Sequence, residues 1–364
     1  MNTAHQIEVE EKFSIDNNTT LPDLAAITRL AGPSQQIQHD LSALYYDTRD
    51  LRLSRARITL RYRHGGTDEG WTLKLPGMKG RTEIHSDAPH DHGIPEKLTY
   101  VIEAVTRGQS LQPVARVNNT RVETTLHDDT GTPLLEVCDD RVKSECFLPG
   151  GAPLRWREWE VELSQEALQR PEPMKLLRSA SEALIAAGAQ PSPSPSKLKT
   201  ALGRGFDSAP TPPLPVELDP KSPLYSQWSQ LIQHRDEVLA HDRRIRLGYK
   251  DDLRPLGAVL RVLLAHLQDL EGYVDQTQIK SLSAQLSIFA DLTDRSADLL
   301  QEGSTKASSF AGSTAITSEN ASDTPFERGL AHTPLASYLS SEEYWSMLDN
   351  LDELLSQPPY EEIA

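Results

Sequence analysis

Cysteine is nearly absent from this 364-residue chain, which holds only Cys138 and Cys146. The two form no CxxC, so no disulfide framework is expected, and a reducing compartment suits them. Long apolar runs are missing as well. The most apolar stretch, LGAVLRVLLAHL from Leu256 to Leu267, is far shorter than the roughly 20 residues a membrane span requires, and Arg261 interrupts it. The opening MNTAHQIEVEEKF has neither a basic start nor an apolar core and does not read as a signal peptide. Excess positive charge is lacking too, the formal net charge being −16. The expectation is a cytoplasmic protein with no membrane partner.

What is present reads as a soluble globular chain, 37% hydrophobic and 25% charged, long enough for two domains of ordinary size. Charge is unevenly spread. Residues 1–205 hold 25 Lys and Arg against 28 Asp and Glu, a net −3, whereas residues 206–364 hold 12 against 25, a net −13. An acidic half of that kind repels phosphate backbones, so no nucleic-acid partner is expected through it.

Residues 1–205 read as mostly strands. Short runs such as QIEVEEKF, RARITLRYR, GWTLKLP, GRTEIHS, RVETTLHD, PLLEVCDDRV and REWEVEL are separated by Gly, Pro, Asp and Asn turns. Two helical patches interrupt them, LPDLAAITRLAG and PMKLLRSASEALIAAGA, the second closing at Gly188. A proline-rich linker is expected over 206–222, and a helical domain over 223–364. There Leu224, Trp228, Leu231 and Ile232 share one face, Leu253, Leu256, Leu260, Leu263, Leu264 and Leu267 another, and Ile279, Leu282, Leu286, Phe289 and Leu292 a third. The Ser/Thr/Ala/Gly-rich stretch at about 303–324 reads as a disordered loop, and a capping box from Ser340 to Glu343 opens a last helix that runs to Pro358.

The strand domain carries its charges in an inverted pattern. Side chains alternate across a strand, so Glu8, Glu10 and Lys12 share one face and Ile7, Val9 and Glu11 the other. The same holds for Arg57, Thr59, Arg61 and Arg63, for Thr72 and Lys74, and for Arg81, Glu83 and His85. Arg121 lies on RVETTL, and Lys197 and Lys199 alternate in SKLKT. Glu136 and Asp140, then Glu158, Glu160 and Glu162, supply the opposing acids. Any one such face reads as the solvated side of an ordinary barrel. Taken together, with Ile7, Val9, Trp159, Val161 and Leu163 free to pack outward under helices, they read as the interior of a water-filled tunnel.

Carboxylates two apart on a strand, about 7 Å along it, can converge with a second pair on a hard cation of the Mg or Mn type. Arginines and lysines hold phosphate oxygens, and phosphoryl transfer asks chiefly for positioning, cations and charge neutralisation. Acids on one wall and bases on the others therefore match a triphosphate.

In this order the stretches resemble the CYTH superfamily of triphosphate tunnel metalloenzymes, which includes inorganic triphosphatases, thiamine triphosphatases and class IV adenylate cyclases. EVEEK from Glu8 to Lys12 matches the ExExK signature, and YYDTRDLRLSRARITLRYR, WTLKLP, RTE, EVCDDRV, WREWEVEL and SKLKT follow over roughly residues 6–202. The resemblance implies an α+β protein: an eight-stranded antiparallel β tunnel followed by an all-α bundle. It implies Glu8, Glu10, Asp140, Glu160 and Glu162 as metal ligands or water-orienting acids for Mg2+ or Mn2+, with Glu160 and Glu162 catalytic. Lys12, Arg61, Arg63, Lys74, Arg121 and Lys197, with Arg81 beside them, would hold the phosphates. Between Arg116 and Arg121, RVNNTR lacks basic residues expected in relatives, which implies a weaker grip there.

The helical half resembles a reduced, degenerate CHAD domain, a family associated with polyphosphate. Of the pattern HxxRVxxRRLR, DDLRPLGAVLR keeps Arg254 and Arg261 but has Asp251 at the histidine position and Ala258 and Val259 at the arginine pair. Only about half of such a domain is present, and Pro255 suits only a helix's first turn. A structural or partner-docking role, through a homodimer or another protein, is expected of it.

The expected function is metal-dependent hydrolysis of a small triphosphate, inorganic tripolyphosphate first and thiamine triphosphate second. A class IV adenylate cyclase uses the same charges, and a non-catalytic polyphosphate-binding scaffold is the alternative outside enzymes. Three features read blandly. The histidines of HSDAPHDHG, His85, His90 and His92, are more simply loop residues than metal ligands. Cys138, on the face of Glu136 and Asp140, is a filler rather than a nucleophile, and Trp71, Trp156 and Trp159 are core or rim.

Overall fold

The alternation along residues 4–163 is realised as one antiparallel sheet. The structure is a computed structural model, and it describes residues 4–24, 35–77, 80–309 and 333–360. Its strands are β1 (Ala4–Glu8), β2 (Glu10–Ser14), β3 (Gln35–Asp47), β4 (Thr59–His64), β5 (Gly70–Pro76), β6 (Arg81–Ser86), β7 (Gln112–His127), β8 (Pro133–Cys146), β9 (Leu154–Leu163) and β10 (Gln190–Pro191). They lie in the order β1-β6-β5-β4-β3-β7-β8-β9-β2-β10. Only Val9 separates β1 from β2, yet β1 pairs with β6 and β2 with β9. Val9 itself accepts a hydrogen bond from the Leu163 amide at 3.0 Å, so a single N-terminal run is bonded to strands far apart in the sheet order. The sheet curls to allow this, as twisted antiparallel sheets do.

One face of the curled sheet is apolar and covered. Phe13, Val137, Trp159, Val161 and Leu163 are buried against Leu177, Ala180 and Leu184 of the helix Pro173–Ala186. Trp159, Val161 and Leu163 thus sit under a helix as their spacing predicts, with Val9 packed alongside, whereas Ile7 remains exposed. After β3, the fully buried Asp47 accepts hydrogen bonds from the amides of Thr48, Leu53 and Ser54. Those bonds fold the YYDTRDLRLS segment into the one-turn helix Arg52–Arg55 and aim the chain into β4. SKLKT is not extended: Lys197–Leu202 is a helix capped by Ser196, with Lys197 turned to the charged face and Lys199 lying over the Phe206 ring. Of the patch at 21–32, residues 25–32 lie outside the described residues.

Contacts divide the chain into two units, Met1–Pro95 with Leu111–Pro210, and Glu96–Ser110 with Thr211–Ala364. The helix Glu96–Thr106, which interrupts the strand domain in sequence, therefore folds with the helical residues, a placement the expected boundary at 205 does not carry. The reason is both apolar and ionic. Ala104 joins the core of Trp228, Leu256, Leu260, Leu286, Phe289 and Leu351. The buried Arg107 guanidinium donates to Asp352 at 2.7 Å, and the buried Arg246 donates to the Tyr100 carbonyl at 2.9 Å and to Glu103 at 3.0 Å.

The helices Tyr225–Arg246, Leu253–Asp269, Gln276–Ser309 and Glu342–Leu355 follow the apolar periods, with Pro255 in a first turn. The proline-rich segment is tied to this unit, for Leu218 is buried in the core, the Val216 amide donates to the Leu355 carbonyl, and Trp228 Nε1 donates to the Val216 carbonyl. The last helix is capped by Ser341 rather than Ser340, and it ends at Leu355, short of Pro358. Residues 303–309 of the expected disordered loop continue a helix, and its remainder lies outside the described residues. Among the described residues no helix is long and apolar enough to cross a membrane.

Asp352 also accepts from Arg235 Nε at 2.7 Å, so two guanidiniums depend on one buried carboxylate. Asp352→Ala is expected to cost about 3–5 kcal/mol in denaturant unfolding, because it strands buried positive charge. A loss below about 1 kcal/mol would mean that Asp349, 3.3 Å from Arg107, serves the charge instead.

Candidate active site

Strand register stacks the inverted faces on one another. Across β2 and β9, Glu10 faces Glu162 and Lys12 faces Glu160; across β8 and β9, Glu136 faces Glu162 and Asp140 faces Glu158. Across β7 and β8, Arg121 faces Asp140, and across β5 and β6, Lys74 faces Glu83. The result is a cavity of about 430 Å³ whose lining is mostly charged. Glu8, Glu10 and Lys12 line it from the N-terminal run, Arg61 and Arg63 from β4, Lys74 from β5 and Arg81 from β6. Arg121, Glu160, Glu162 and Lys197 complete the set expected from the sequence. Asp140 is the exception. It is fully buried behind the lining, where Arg121 grips it through Nε and Nη2 at 2.8 Å and Lys197 lies at 2.8 Å, so its carboxylate orients those cations.

The charges sort into three groups. The first is the lattice around Glu160, which pairs with Lys12, with Lys197 at 2.6 Å and with Arg121 at 2.6 Å. Burial would raise the Glu160 carboxyl, but these three cations outweigh it and hold the carboxyl well below the ordinary range. Lys197 reaches Glu158 as well, at 2.6 Å, and its ammonium is held well above the usual lysine range despite burial. Oxygens of Asp140, Glu158 and Glu160 lie within 4.8 Å of one another, but Lys12, Arg121 and Lys197 already neutralise them.

The second group is acidic. Glu8, Glu10 and Glu162, from β1, β2 and β9, bring carboxylate oxygens within 4.8 Å of one another. Lys74 serves Glu8 at 2.5 Å and Lys12 serves Glu10 at 2.7 Å, while Glu162 makes no ion pair among the described residues. Burial, and after it the charge of Glu8, pushes the Glu162 carboxyl up to about 9. Among the described residues, the buried Glu8 Oε2 has no hydrogen-bond donor. Three hard oxygen donors, one of them orphaned and one forced to keep its proton, fit a divalent cation.

The third group is basic. Arg61 and Arg63 have buried Nε atoms without partners among the described residues, and burial, then the charges of Arg61 and Arg121, brings the Arg63 guanidinium down to about 9. Their carboxylate contact comes from the β4–β5 turn, where Asp68 pairs with Arg63 and lies 4.0 Å from Arg61. Among the described residues Arg81 reaches the Pro195 carbonyl, at 3.2 Å, and no carboxylate.

Several lining residues were not among the expected site. Glu83 and Glu136 alternate in phase with expected members and were open to the same reasoning. Asn119 and Glu123 likewise alternate in phase with Arg121, whereas Tyr45 lies on a strand whose apolar neighbours mask the phase, and Asp68 sits in a turn, where no period exists. Cys138 is buried and donates to Glu136 at 3.4 Å, and burial pushes its thiol well up, in keeping with a filler. The three histidines share no site: His85 is not in a loop but on β6, where it lines the cavity, while His90 stacks on Trp71 and bonds Tyr46 at 2.7 Å, and His92 is exposed.

The sequence model of the CYTH domain family matches residues 6–184. Two uncharacterized proteins from Mycobacterium tuberculosis strains are each 30% identical to this chain over 379 residues, spanning 97% of it and 71% of their own length. Among solved structures, a candidate adenylate cyclase from Bacillus halodurans is 18% identical at a TM-score of 0.34, over 54% of this chain and 97% of its own. A candidate adenylyl cyclase from Hippeastrum with a dominant triphosphatase activity is 15% identical at a TM-score of 0.34, over 56% of this chain and 96% of its own.

Burial alone would raise the Glu83 carboxyl, but Lys74, 3.0 Å away, and then Arg61 bring it down to about 2 from an ordinary 4.5. Its contribution to stability is therefore present above pH 4.5 and lost as pH falls toward 2. Thermal unfolding midpoints across that window should fall less steeply in Glu83→Gln than in the unmodified protein. Parallel slopes would show that Glu83 is not held ionised by its neighbours.

Proposed function

Residues 6–184 belong to the CYTH domain family, and from that premise we propose that the charged cavity hydrolyses a small linear triphosphate. Inorganic tripolyphosphate is the first candidate substrate and thiamine triphosphate the second, with Mg2+ or Mn2+ as cofactor. One observation carries the reading: a cation-deficient carboxylate trio, Glu8, Glu10 and Glu162, shares one cavity with the carboxylate-deficient pair Arg61 and Arg63. Counting residues 4–14 as one strand interrupted at Val9, and leaving aside the two-residue β10, the cavity is read as an eight-stranded tunnel.

Glu8, Glu10 and Glu162 would hold the divalent cation, which when bound supplies a stabilised hydroxide equivalent and neutralises phosphate oxygens. Arg61, Arg63, Lys74 and Arg121 bind and align the phosphate chain, and Lys12 and Lys197 hold Glu160 and Asp140 so that these cations keep fixed positions. Glu162 is the carboxylate assigned to orient the attacking water. The bond from water oxygen to the terminal phosphorus forms as the bridging P–O bond breaks. The departing diphosphate takes the electron pair, the proton shed by the attacking water passes to solvent, and Arg61 and Arg63 offset the diphosphate's charge. Tyr45 and His85 are the only rings lining the cavity among the described residues, which favours a bare polyphosphate over a nucleotide as the occupant.

The helical unit is read as a reduced CHAD-like domain with a structural or docking role. In support, the two retained arginines are each matched by an acid, Arg254 by Asp298 at 2.9 Å and Arg261 by Asp294, so neither offers a free charge to polyphosphate.

Phosphate release from tripolyphosphate, thiamine triphosphate and ATP, with Mg2+ or Mn2+ and with chelator, tests the reading, cyclic AMP being followed in the ATP sample. Cation-dependent release from tripolyphosphate is expected. Glu160→Gln should lower it by at least about a hundredfold with the fold intact by circular dichroism. Full activity of Glu160→Gln would sink the site assignment, cyclic AMP as the main product would make the protein a cyclase, and tight binding without turnover would make it a receptor.

A further inference from the structure

The turn joining β4 to β5 reads HGGTDEG, from His64 to Gly70, and its path is set by glycine. Gly65 and Gly66 both have φ of +82°, and a Cβ on Gly65 would stand 2.4 Å from the Asp40 carbonyl oxygen. The turn folds back so that Thr67 and Asp68 line the charged cavity. There Asp68 is the ion-pair partner of Arg63, and among the described residues Arg63 has no other. Four other cations are differently placed: Lys12, Lys74, Arg121 and Lys197 each bind carboxylates carried by strands. A strand-borne acid is fixed by the sheet, whereas Asp68, 40% exposed at its side chain, is held only by its turn. Among the described residues, Arg61 and Arg63 meanwhile keep buried Nε donors unused, so the pair has more hydrogen-bonding capacity than Asp68 consumes.

We infer that Asp68 is a built-in competitor, a tethered carboxylate that occupies the Arg61–Arg63 anion subsite and must be displaced by an incoming phosphate group. This rests on the proposed reading of the cavity as a triphosphate site. Every anion that reaches the pair meets the same penalty, because each must break the Arg63–Asp68 contact before making its own. A uniform penalty acts as a threshold. Weakly held anions such as orthophosphate fall below occupancy, whereas a tripolyphosphate that also reaches Lys74 and Arg121 has contacts enough to stay bound. Asp68 touches no reacting atom in this scheme, so it sets binding and leaves the chemical step alone.

The test uses the full chain without metal and with chelator, titrated calorimetrically with tripolyphosphate and with orthophosphate. Three proteins are compared: unmodified, Asp68→Asn and Glu69→Gln. Glu69 is the control, since it carries the same charge in the same turn and caps the Gly65 amide at 2.8 Å, an acceptor that glutamine preserves. Asp68→Asn is expected to tighten tripolyphosphate about five- to tenfold, Glu69→Gln to change it less than about twofold, and in turnover Asp68→Asn to lower KM without raising kcat. Equal tightening by both variants would reduce the effect to general charge and overturn the proposal, as would no change in Asp68→Asn. If the unmodified protein neither binds nor hydrolyses tripolyphosphate, the triphosphatase reading fails, and orthophosphate on the same three proteins decides Asp68 by itself. Binding of neither anion by any of the three overturns both.

Discussion

The fold of the strand unit depends on mutual compensation among charges that water has largely left. Glu160 is satisfied by Lys12, Lys197 and Arg121, and these come from β2, from the helix after the sheet and from β7. Isolated, any of these groups would cost several kcal/mol to bury. Together they hold elements far apart in sequence in one register, since no member can shift without stranding another. Asp140 extends the lattice one layer outward, and its complete burial shows that the network has depth beyond the cavity wall.

Against that neutral lattice the two imbalanced groups stand out. A carboxylate trio short of cations and an arginine pair short of strand-borne carboxylates are complementary defects within one cavity. Neither defect stabilises the protein by itself. Each persists because the lattice between them fixes the walls, and a ligand carrying both a divalent cation and several negative oxygens would satisfy both together.

Much of this was legible in the sequence because a strand has a strict period of two. Once Glu8, Glu10 and Lys12 were in phase, the same rule applied to Arg61 and Arg63 and to Glu160 and Glu162, and the register brought them to one cavity. What the period could not carry was depth and destination. Asp140 alternates in phase with Glu136 but lies behind the wall, because distance from the cavity axis is a matter of sheet curl. Lys197 was in phase with Lys199 in a stretch that is helical, so the right residue faces the cavity for a different reason than alternation. The helix Glu96–Thr106 looked like part of the strand domain because sequence proximity says nothing about which core receives an apolar face. Asp68 had no signal at all, since a glycine turn sets its position.

The N-terminal run, bonded to β6 through residues 4–8 and to β9 through residues 10–14, also imposes an order of events on the chain. Its first partner lies 73–81 residues downstream and its second 144–152. On a ribosome that adds residues one by one, Glu10 and Lys12 emerge early yet wait for Glu162 and Glu160 to be synthesised before they are paired. Residues 10–14 are thus made well before they are secured, and Glu10 and Lys12 stay unmatched until β9 arrives. Contacts of such long sequence separation make closure a slow step in assembly. A nascent chain released before β9 is complete would carry an exposed strand edge, with the cavity's acids and bases still unmatched.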